Sequence, residues 1–126
     1  MNTVHTPIFD LSFVAAADLS AAQHKFVKLA TGGKVDVAGA GDPCVGILQD
    51  KPLSGKAGAV RILGTSKLSC DGASAIAVGD PLKSNASGIG IKAATDKDKA
   101  GAIALEAVAA GTAVIAVLLC RYDIAV

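Results

Sequence analysis

The chain has 126 residues, of which 52% are hydrophobic, 3% aromatic and 18% charged, with a formal net charge of +1. This length fits one domain, and the longest clean apolar run, residues 113–120, is far shorter than the roughly 20 residues that a membrane-spanning helix needs. Charges of both signs are interspersed without a run of lysine and arginine, so we expect neither a nucleic-acid partner nor a membrane partner.

The apolar content consists mostly of small side chains. About a fifth of the residues are alanine, and tryptophan is absent. Small side chains bury little area each, and burial contributes only about 25 cal/mol per Å² of apolar surface. A small domain with so thin a core is often stabilised by neighbouring molecules. The composition therefore favours an oligomer or a protein bound to a larger surface.

The first 22 residues differ from the rest of the chain, because they contain no glycine and follow no sustained hydrophobic period. We interpret residues 1–22 as an extended arm and residues 23–126 as the folded domain, with an ordinary first strand as the alternative interpretation of the arm. Large apolar side chains near a terminus need a surface to cover them. The candidate contacts with a partner surface or a neighbouring subunit are Ile8, Phe9, Leu11 and Phe13.

The N-terminal sequence and the cysteines indicate the compartment in which the protein is made. The N-terminus has no basic region ahead of an apolar stretch, which argues against a secretory signal. The cysteines, Cys44, Cys70 and Cys120, are odd in number and widely spaced, so they are interpreted as buried thiols and not as a disulfide framework. Both observations fit synthesis in a reducing cytoplasm.

The first clear hairpin covers residues 24–30 and 34–38. Gly32 and Gly33 lie between its strands and suit a tight turn with positive φ. Val35 and Val37 alternate with charged neighbours, which is the period of a half-buried strand.

The plan of residues 41–70 recurs loosely near the C-terminus. A turn, a short apolar segment (44–48) and a loop (49–58) lead to an alternating strand over residues 59–70, in which Gly64 marks a bend or bulge. The later copy has a short segment at residues 102–105, a small-residue loop and a strand at residues 113–120.

The later copy contains a segment of ambiguous secondary structure and a strand that is apolar throughout. The alanines of residues 100–110 favour helix by propensity, but by analogy with the earlier unit we predict a strand over residues 102–105. The strand at residues 113–120 is apolar on both faces, so we expect a central strand covered on both sides. Two such units predict an all-β fold, a small barrel or sandwich of about eight short strands with an extended N-terminal arm.

No residue pattern in the chain indicates chemistry. The two histidines, His5 and His24, have no cysteine or carboxylate neighbours at ligand spacing. Aspartates occur singly in turns, where a carboxylate typically caps backbone amides. We therefore expect no catalytic residue, no metal site and no cofactor, and a protein that is not an enzyme.

One local pattern supports a different class. Val78-Gly79-Asp80-Pro81-Leu82, followed by the charged turn at residues 95–100, is similar to lipoyl and biotinyl carrier domains, which present a modified lysine at a hairpin tip. Lys97 would be that lysine here. The chain departs from the carrier pattern, because Lys97 lacks the neighbouring glutamate or methionine and the chain exceeds the length of such domains.

Several blocks in order resemble the small alanine- and glycine-rich cement, or head-decoration, proteins of tailed-phage capsids. The resemblance spans about residues 24–120 and excludes the arm. The blocks are Phe26-Val27-Lys28-Leu29, Gly32-Gly33-Lys34-Val35, Val45-Gly46-Ile47-Leu48, Gly58-Ala59-Val60-Arg61-Ile62-Leu63-Gly64, Val78-Gly79-Asp80-Pro81-Leu82, Ala102-Ile103-Ala104-Leu105-Glu106-Ala107 and residues 114–119.

The resemblance implies a barrel-like virion protein, usually trimeric, that binds the major capsid protein on the outer surface of the head and stabilises the shell. A fibre or adhesin β-module, which would bind a host surface, is the other non-enzymatic alternative.

Overall fold

The structure, a computed structural model, describes residues 9–95 and 98–123, which form an all-β protein as the sequence predicted. The described residues form ten strands where about eight were expected, and a single turn of 3-10 helix at Thr31–Gly33. The strands are β1 (Phe9–Val14), β2 (Phe26–Ala30), β3 (Lys34–Val37), β4 (Gly46–Leu48), β5 (Ala57–Leu63), β6 (Thr65–Asp71), β7 (Pro81–Ser84), β8 (Gly90–Lys92), β9 (Lys99–Ala104) and β10 (Thr112–Asp123). No helix in the described ranges could cross a membrane.

The N-terminal half forms a five-stranded sheet, here called the first sheet, in the order β1-β5-β4-β2-β3. β1 is an edge strand that pairs antiparallel with β5 along its whole length. The two edges approach each other just after β1, where Ala15 forms a parallel bridge with Val35 and the Ala16 N–H donates to the Val35 carbonyl at 2.8 Å. The first sheet is therefore strongly curled.

The C-terminal half forms a closed barrel in the order β10-β6-β8-β7-β9. β10 lies between β6 and β9 and pairs antiparallel with both. The contact that closes the barrel is a short parallel pairing of β6 with β8, at Cys70 and Gly90. Closure removes the exposed edges that a free sheet of five strands would have.

Gly64 connects the two halves. The sequence predicted one long strand with a bend at this glycine, and β5 and β6 are that strand, divided at Gly64. Gly64 has a φ of 94°, which L-residues rarely adopt. Because β5 belongs to the first sheet and β6 to the barrel, the bend at Gly64 is where the chain passes from one sheet to the other.

Two hydrophobic cores correspond to the two halves. The core of the first sheet consists of Ala15, Leu19, Ala22, Val27, Val35, Leu48 and Val60. The barrel core includes Leu68, Leu82, Ile115 and Val117, together with Phe26 and Ile47 from the first sheet. Since Phe26 and Ile47 extend from the first sheet into the barrel core, the two halves are packed together.

The sequence-predicted hairpins are present. β2 and β3 pair as expected, with Gly32 and Gly33 at positive φ between them. The two related units form the antiparallel pairs β4–β5 and β9–β10. β9 ends at Ala104, so the ambiguous segment after residue 99 begins as a strand.

One expectation about β10 is wrong for the single chain. Ile115 and Val117 are buried, but Val114 and Leu118, on the opposite face, are exposed. The pattern of residues 113–120 predicted cover on both sides, whereas the barrel interior covers only one side. The outer face of this strand is left without cover by the described residues.

Candidate interaction surfaces

The first candidate surface follows β1. Of the four residues selected from the sequence, Ile8 lies outside the described residues. Phe9 is 48% exposed and Leu11 is also exposed, whereas Phe13 is partly buried and packs against the core of the first sheet. The segment interpreted as an arm thus forms an edge strand from Phe9 onward, and the division after residue 22 stays a prediction.

A cross-strand partner extends this surface. Phe9 is paired with Leu63 of β5, which is 54% exposed. Beside this pair, the Arg61 guanidinium donates to both carboxylate oxygens of Asp10, at 2.9 and 3.2 Å. An apolar pair next to a satisfied ion pair is the mixture found where an interface core meets its polar rim. The register shifts between Phe9 and Asp10, and Leu11 is paired with the buried Val60. We call the exposed apolar residues along this edge, Phe9, Leu11 and Leu63, the β1 surface.

The second candidate surface is the outer face of the barrel at β10. Leu118 lies opposite Ile103 of β9, and the Leu105 N–H donates to the Ala116 carbonyl at 3.0 Å, which places Leu105 beside Ala116. Directly opposite side chains in such a ladder lie about 5 Å apart. Ile103, Leu105, Ala116 and Leu118 therefore form one apolar patch, here called the β10 surface.

The backbone under the β10 surface is fixed by Glu106. Its carboxylate accepts the Ala116 N–H at 2.9 Å. The side chain thus takes the place of a strand partner where β9 ends. A satisfied backbone beneath exposed apolar side chains indicates a formed surface and not a frayed one.

His24 is a junction residue whose importance the sequence did not show. Its N–H donates to the Leu48 carbonyl at 2.8 Å, and its carbonyl accepts the Ser69 N–H at 2.7 Å, so it links the first sheet to the barrel. Burial lowers the pKa of the imidazole, and nearby Lys67 and Lys51 lower it further. These two lysines are 16 residues apart in the sequence, which is why no basic cluster was predicted.

The cysteines follow the expected pattern of buried thiols. Cys44 and Cys70 are buried, Cys120 is half-buried, and all three are free. Burial raises the pKa of Cys44 to about 12 and that of Cys70 to about 12. Since the thiolate is the nucleophilic form, neither buried cysteine is activated for chemistry at neutral pH.

Aspartates cap turns as the sequence predicted. Asp42 accepts the Gly39 N–H at 2.9 Å, and Asp80 accepts the Ala77 N–H at 2.8 Å, each three residues back in a Gly-Asp-Pro turn. The Lys28 ammonium donates to Asp42 at 3.0 Å, and this hydrogen bond, followed by the Gly39 amide, lowers the pKa of that carboxyl. The two Gly-Asp-Pro turns therefore share the same hydrogen bond from backbone to aspartate, as well as the same sequence.

Within residues 9–95 and 98–123, no three histidine, cysteine, aspartate or glutamate side chains are grouped as metal ligands. Lys97, the residue selected for the carrier hypothesis, lies outside the described residues. That hypothesis stays a prediction at this lysine.

Comparison with known proteins gives one family and one fold. Residues 7–119 match the family model described as phage cement protein. The fold is similar to the crystal structure of the head fibre gp8.5 N base of bacteriophage phi29, with a TM-score of 0.70 and 15% sequence identity, over 94% of this chain and 98% of that chain. At this identity the likeness concerns the fold alone. No curated protein sequence matches the chain.

Proposed function

Because the chain belongs to the phage cement protein family, we propose that it binds the outer surface of the phage head, with the major capsid protein as partner, and stabilises the shell. The family match over residues 7–119 is the observation that carries this proposal. The family makes the protein a structural protein of the phage head, and we assign it no catalytic role. Its three free thiols suit synthesis in the host cytoplasm before assembly.

For contact with the shell we propose the β1 surface. Phe9 and Leu11 are exposed on an edge strand that has no second strand neighbour among the described residues. Phe13 would anchor this strand, because it packs against the core of the first sheet. An edge strand with exposed aromatic and aliphatic side chains offers a partner both apolar contact and free backbone groups.

We also propose that the protein assembles as a trimer through the β10 surface. Sequence pattern supports this, because residues 113–120 carry apolar residues on the face that the barrel does not cover. Contiguous apolar patches exposed on the surface of a protein mark sites of interaction with a partner. A formal net charge of only +1 also keeps repulsion between copies small.

The β1 contact is tested with Phe9→Ser/Leu11→Ser. Matched controls are Leu29→Ser/Leu53→Ser, since these leucines are at least as exposed but lie elsewhere. Heads of the cognate phage that lack this protein are incubated with each variant and sedimented. We expect the first variant to bind at least tenfold more weakly and the control to bind as the wild type does. Equal binding of both variants would contradict the β1 contact.

A second candidate function is that of a fibre or adhesin module. The protein of similar fold is described as the base of a head fibre, so this fold also occurs in a fibre protein. This alternative predicts that the purified protein binds host cells and does not bind heads, so the same sedimentation assay, with cells in place of heads, separates the two functions.

A further inference from the structure

A groove opens beside the start of β10, on the side of the barrel next to β6. Its volume is about 460 Å³, and its walls include Lys25, Ser69, Ile89, Thr112 and Val114. Val114 is 52% exposed, and Cys70 and Ala113 contribute further apolar wall. The groove is thus apolar at its base and carries a few polar groups, which is the usual character of a binding site.

One lysine lines this groove and a second lies near it, although the two are far apart in the sequence. Lys25 forms part of the wall, and Lys67 lies two residues from Ser69 on the same face of β6. Lys51 and Lys67 both act on the imidazole of His24, whose carbonyl accepts the Ser69 N–H. Lys25 and Lys67 therefore place positive charge beside the groove.

These lysines have no acidic partner in the described part of the chain. The four ion pairs there use Lys28, Arg61, Lys83 and Lys92. The aspartates closest in sequence to the cluster are engaged with backbone amides instead. Asp50 accepts the Ala59 N–H, and Asp71 accepts the Ala73 N–H. Hydrogen bonds to amides leave both aspartates negatively charged, and Asp71 lies opposite Thr112 of the groove wall. The positive charge without an acidic partner beside the groove is therefore that of Lys25 and Lys67, which carboxylates of a partner can satisfy.

We propose that this groove receives an acidic segment of the major capsid protein, with carboxylates beside Lys25 and Lys67 and an apolar side chain against Ile89 and Val114. The inference rests on the proposed function and adds the chemistry of the partner segment. Complementary charge steers association and fixes orientation, while the apolar wall supplies buried contact. A nucleic acid fits this groove less well, because no aromatic side chain lines it for base stacking.

The test compares two charge reversals of equal size. Lys25→Glu/Lys67→Glu reverses the groove, and Lys34→Glu/Lys56→Glu reverses two exposed lysines that do not line it. Binding to cognate heads that lack this protein is measured at low and high sodium chloride. We expect the groove variant to bind on the order of tenfold more weakly at low salt, the control to bind as the wild type does, and the difference to shrink at high salt.

A second pair of variants separates charge from shape. Val114→Asp places a carboxylate on the groove wall, and Val114→Lys places an ammonium of larger size at the same position. An acidic partner segment requires that the aspartate variant bind more weakly than the lysine variant. Circular dichroism and thermal unfolding of all variants confirm that each one is folded.

The outcomes of these experiments distinguish a failure of the groove inference from a failure of the proposed function. If the wild type does not bind heads, the proposed function fails and this inference fails with it. If the wild type binds heads and the groove variant binds equally well, or both double variants lose binding equally, only the groove inference is overturned. Lys67 also lies opposite Ala116 of the β10 surface, so native mass spectrometry is applied to Lys25→Glu alone. If this single variant has lost its oligomeric state, the occupant of the groove is a second copy of the chain and the capsid segment is excluded.

Discussion

At the scale of the residue, His24 is the point where the two halves of the molecule are joined. It has a φ of 65°, the only positive φ of a non-glycine residue in the described ranges. Its backbone bonds to both β4 and β6 neighbours, while its Nδ1 is buried without a hydrogen-bond partner. A buried polar atom without a partner costs free energy, and protonation of the ring would add a charge beside Lys51 and Lys67.

We expect the stability of the protein to depend on His24 between pH 7 and pH 5. The pKa of His24 is lowered in the folded state from its ordinary value of 6.5, chiefly by burial. The unfolded state therefore binds the proton more readily, and the free energy of unfolding falls as the pH falls below about 6.5. Asparagine tolerates the same backbone conformation without titrating. Urea unfolding of His24→Asn should show a flatter pH dependence in this window, and an unchanged slope would contradict the account.

Phe26 and Gly101 show how tightly the halves are packed. Phe26 is fully buried, and a Cβ added at Gly101 would lie 2.8 Å from its Cε1 atom. No real Cβ contact is so short, so an alanine here forces the ring or the strand β9 to move. Glycine at this position is required by the aromatic side chain that crosses from the first sheet.

The substitution Gly101→Ala should destabilise the protein by about 1–3 kcal/mol, the usual cost of overpacking a core. Phe26→Leu alone leaves a cavity, but it also makes room for the new methyl group. The double variant should therefore lose less stability than the sum of the two single losses. Chemical denaturation of the four proteins measures this coupling, and strictly additive losses would show that the two residues are not in contact.

At the scale of the element, the continuous stretch of β5 and β6 contributes one strand to each half of the molecule. The burial of alternate side chains continues through Gly64, with Val60 inside the first sheet and Leu68 inside the barrel. The Gly64 carbonyl also accepts the Leu119 N–H at 2.9 Å, which ties the bend to β10. Because Leu63 and Thr65 flank this glycine, the bend also sets the distance between the β1 surface and the β10 surface.

Gly64→Ala should cost about 1–3 kcal/mol, because alanine at this φ is strained. Gly64→Asn should recover part of the loss, since asparagine adopts positive φ more readily than other residues do. Thermal unfolding of the two variants measures the difference. If alanine and asparagine are both as stable as glycine, the bend does not depend on this backbone conformation.

The elements that could be predicted from the sequence are those that depend on residues close together in the chain. The alternation around Val60 and Leu68, the bend at Gly64 and the turn at Gly32-Gly33 depend on neighbouring residues, and the structure confirms them. The parallel contact of β6 with β8 depends on residues far apart in the chain, and no local pattern encodes it.

The difference between local and long-range features also explains which surface residues could be selected from the sequence. Phe9 and Leu11 were selected because apolar residues near a terminus are conspicuous in a sequence. Both are exposed, and their role as contacts stays a prediction. The charge beside the groove was missed, because Lys25 and Lys67 come from separate segments of the sequence and reach the same groove wall only after folding. The prediction that β10 is covered on both sides was wrong for one chain, since sequence period indicates that a face is apolar but not which molecule covers it.

At the scale of the whole molecule, this head protein has two cores that are joined at His24 and Phe26, and it leaves apolar and charged features exposed. The β10 surface and the lysine-lined groove share β10, because Val114 lines the groove and Leu118 belongs to the β10 surface. The β1 surface lies on β1 and β5 and can be altered separately. If the β10 surface joins copies, Leu118→Glu should convert the trimer to monomers in native mass spectrometry, whereas Leu53→Glu, at a more exposed position, should not.

The most direct test of the central claim is the temperature at which intact heads release their DNA. Cognate heads that lack this protein are titrated with the purified chain and heated, with release followed by a dye that binds DNA. Binding of a folded protein to the assembled shell stabilises that shell by mass action. We predict that the release temperature rises with added protein and reaches a plateau at a fixed number of copies per head. A release temperature that does not change at saturating protein would contradict the claim that this protein stabilises the head.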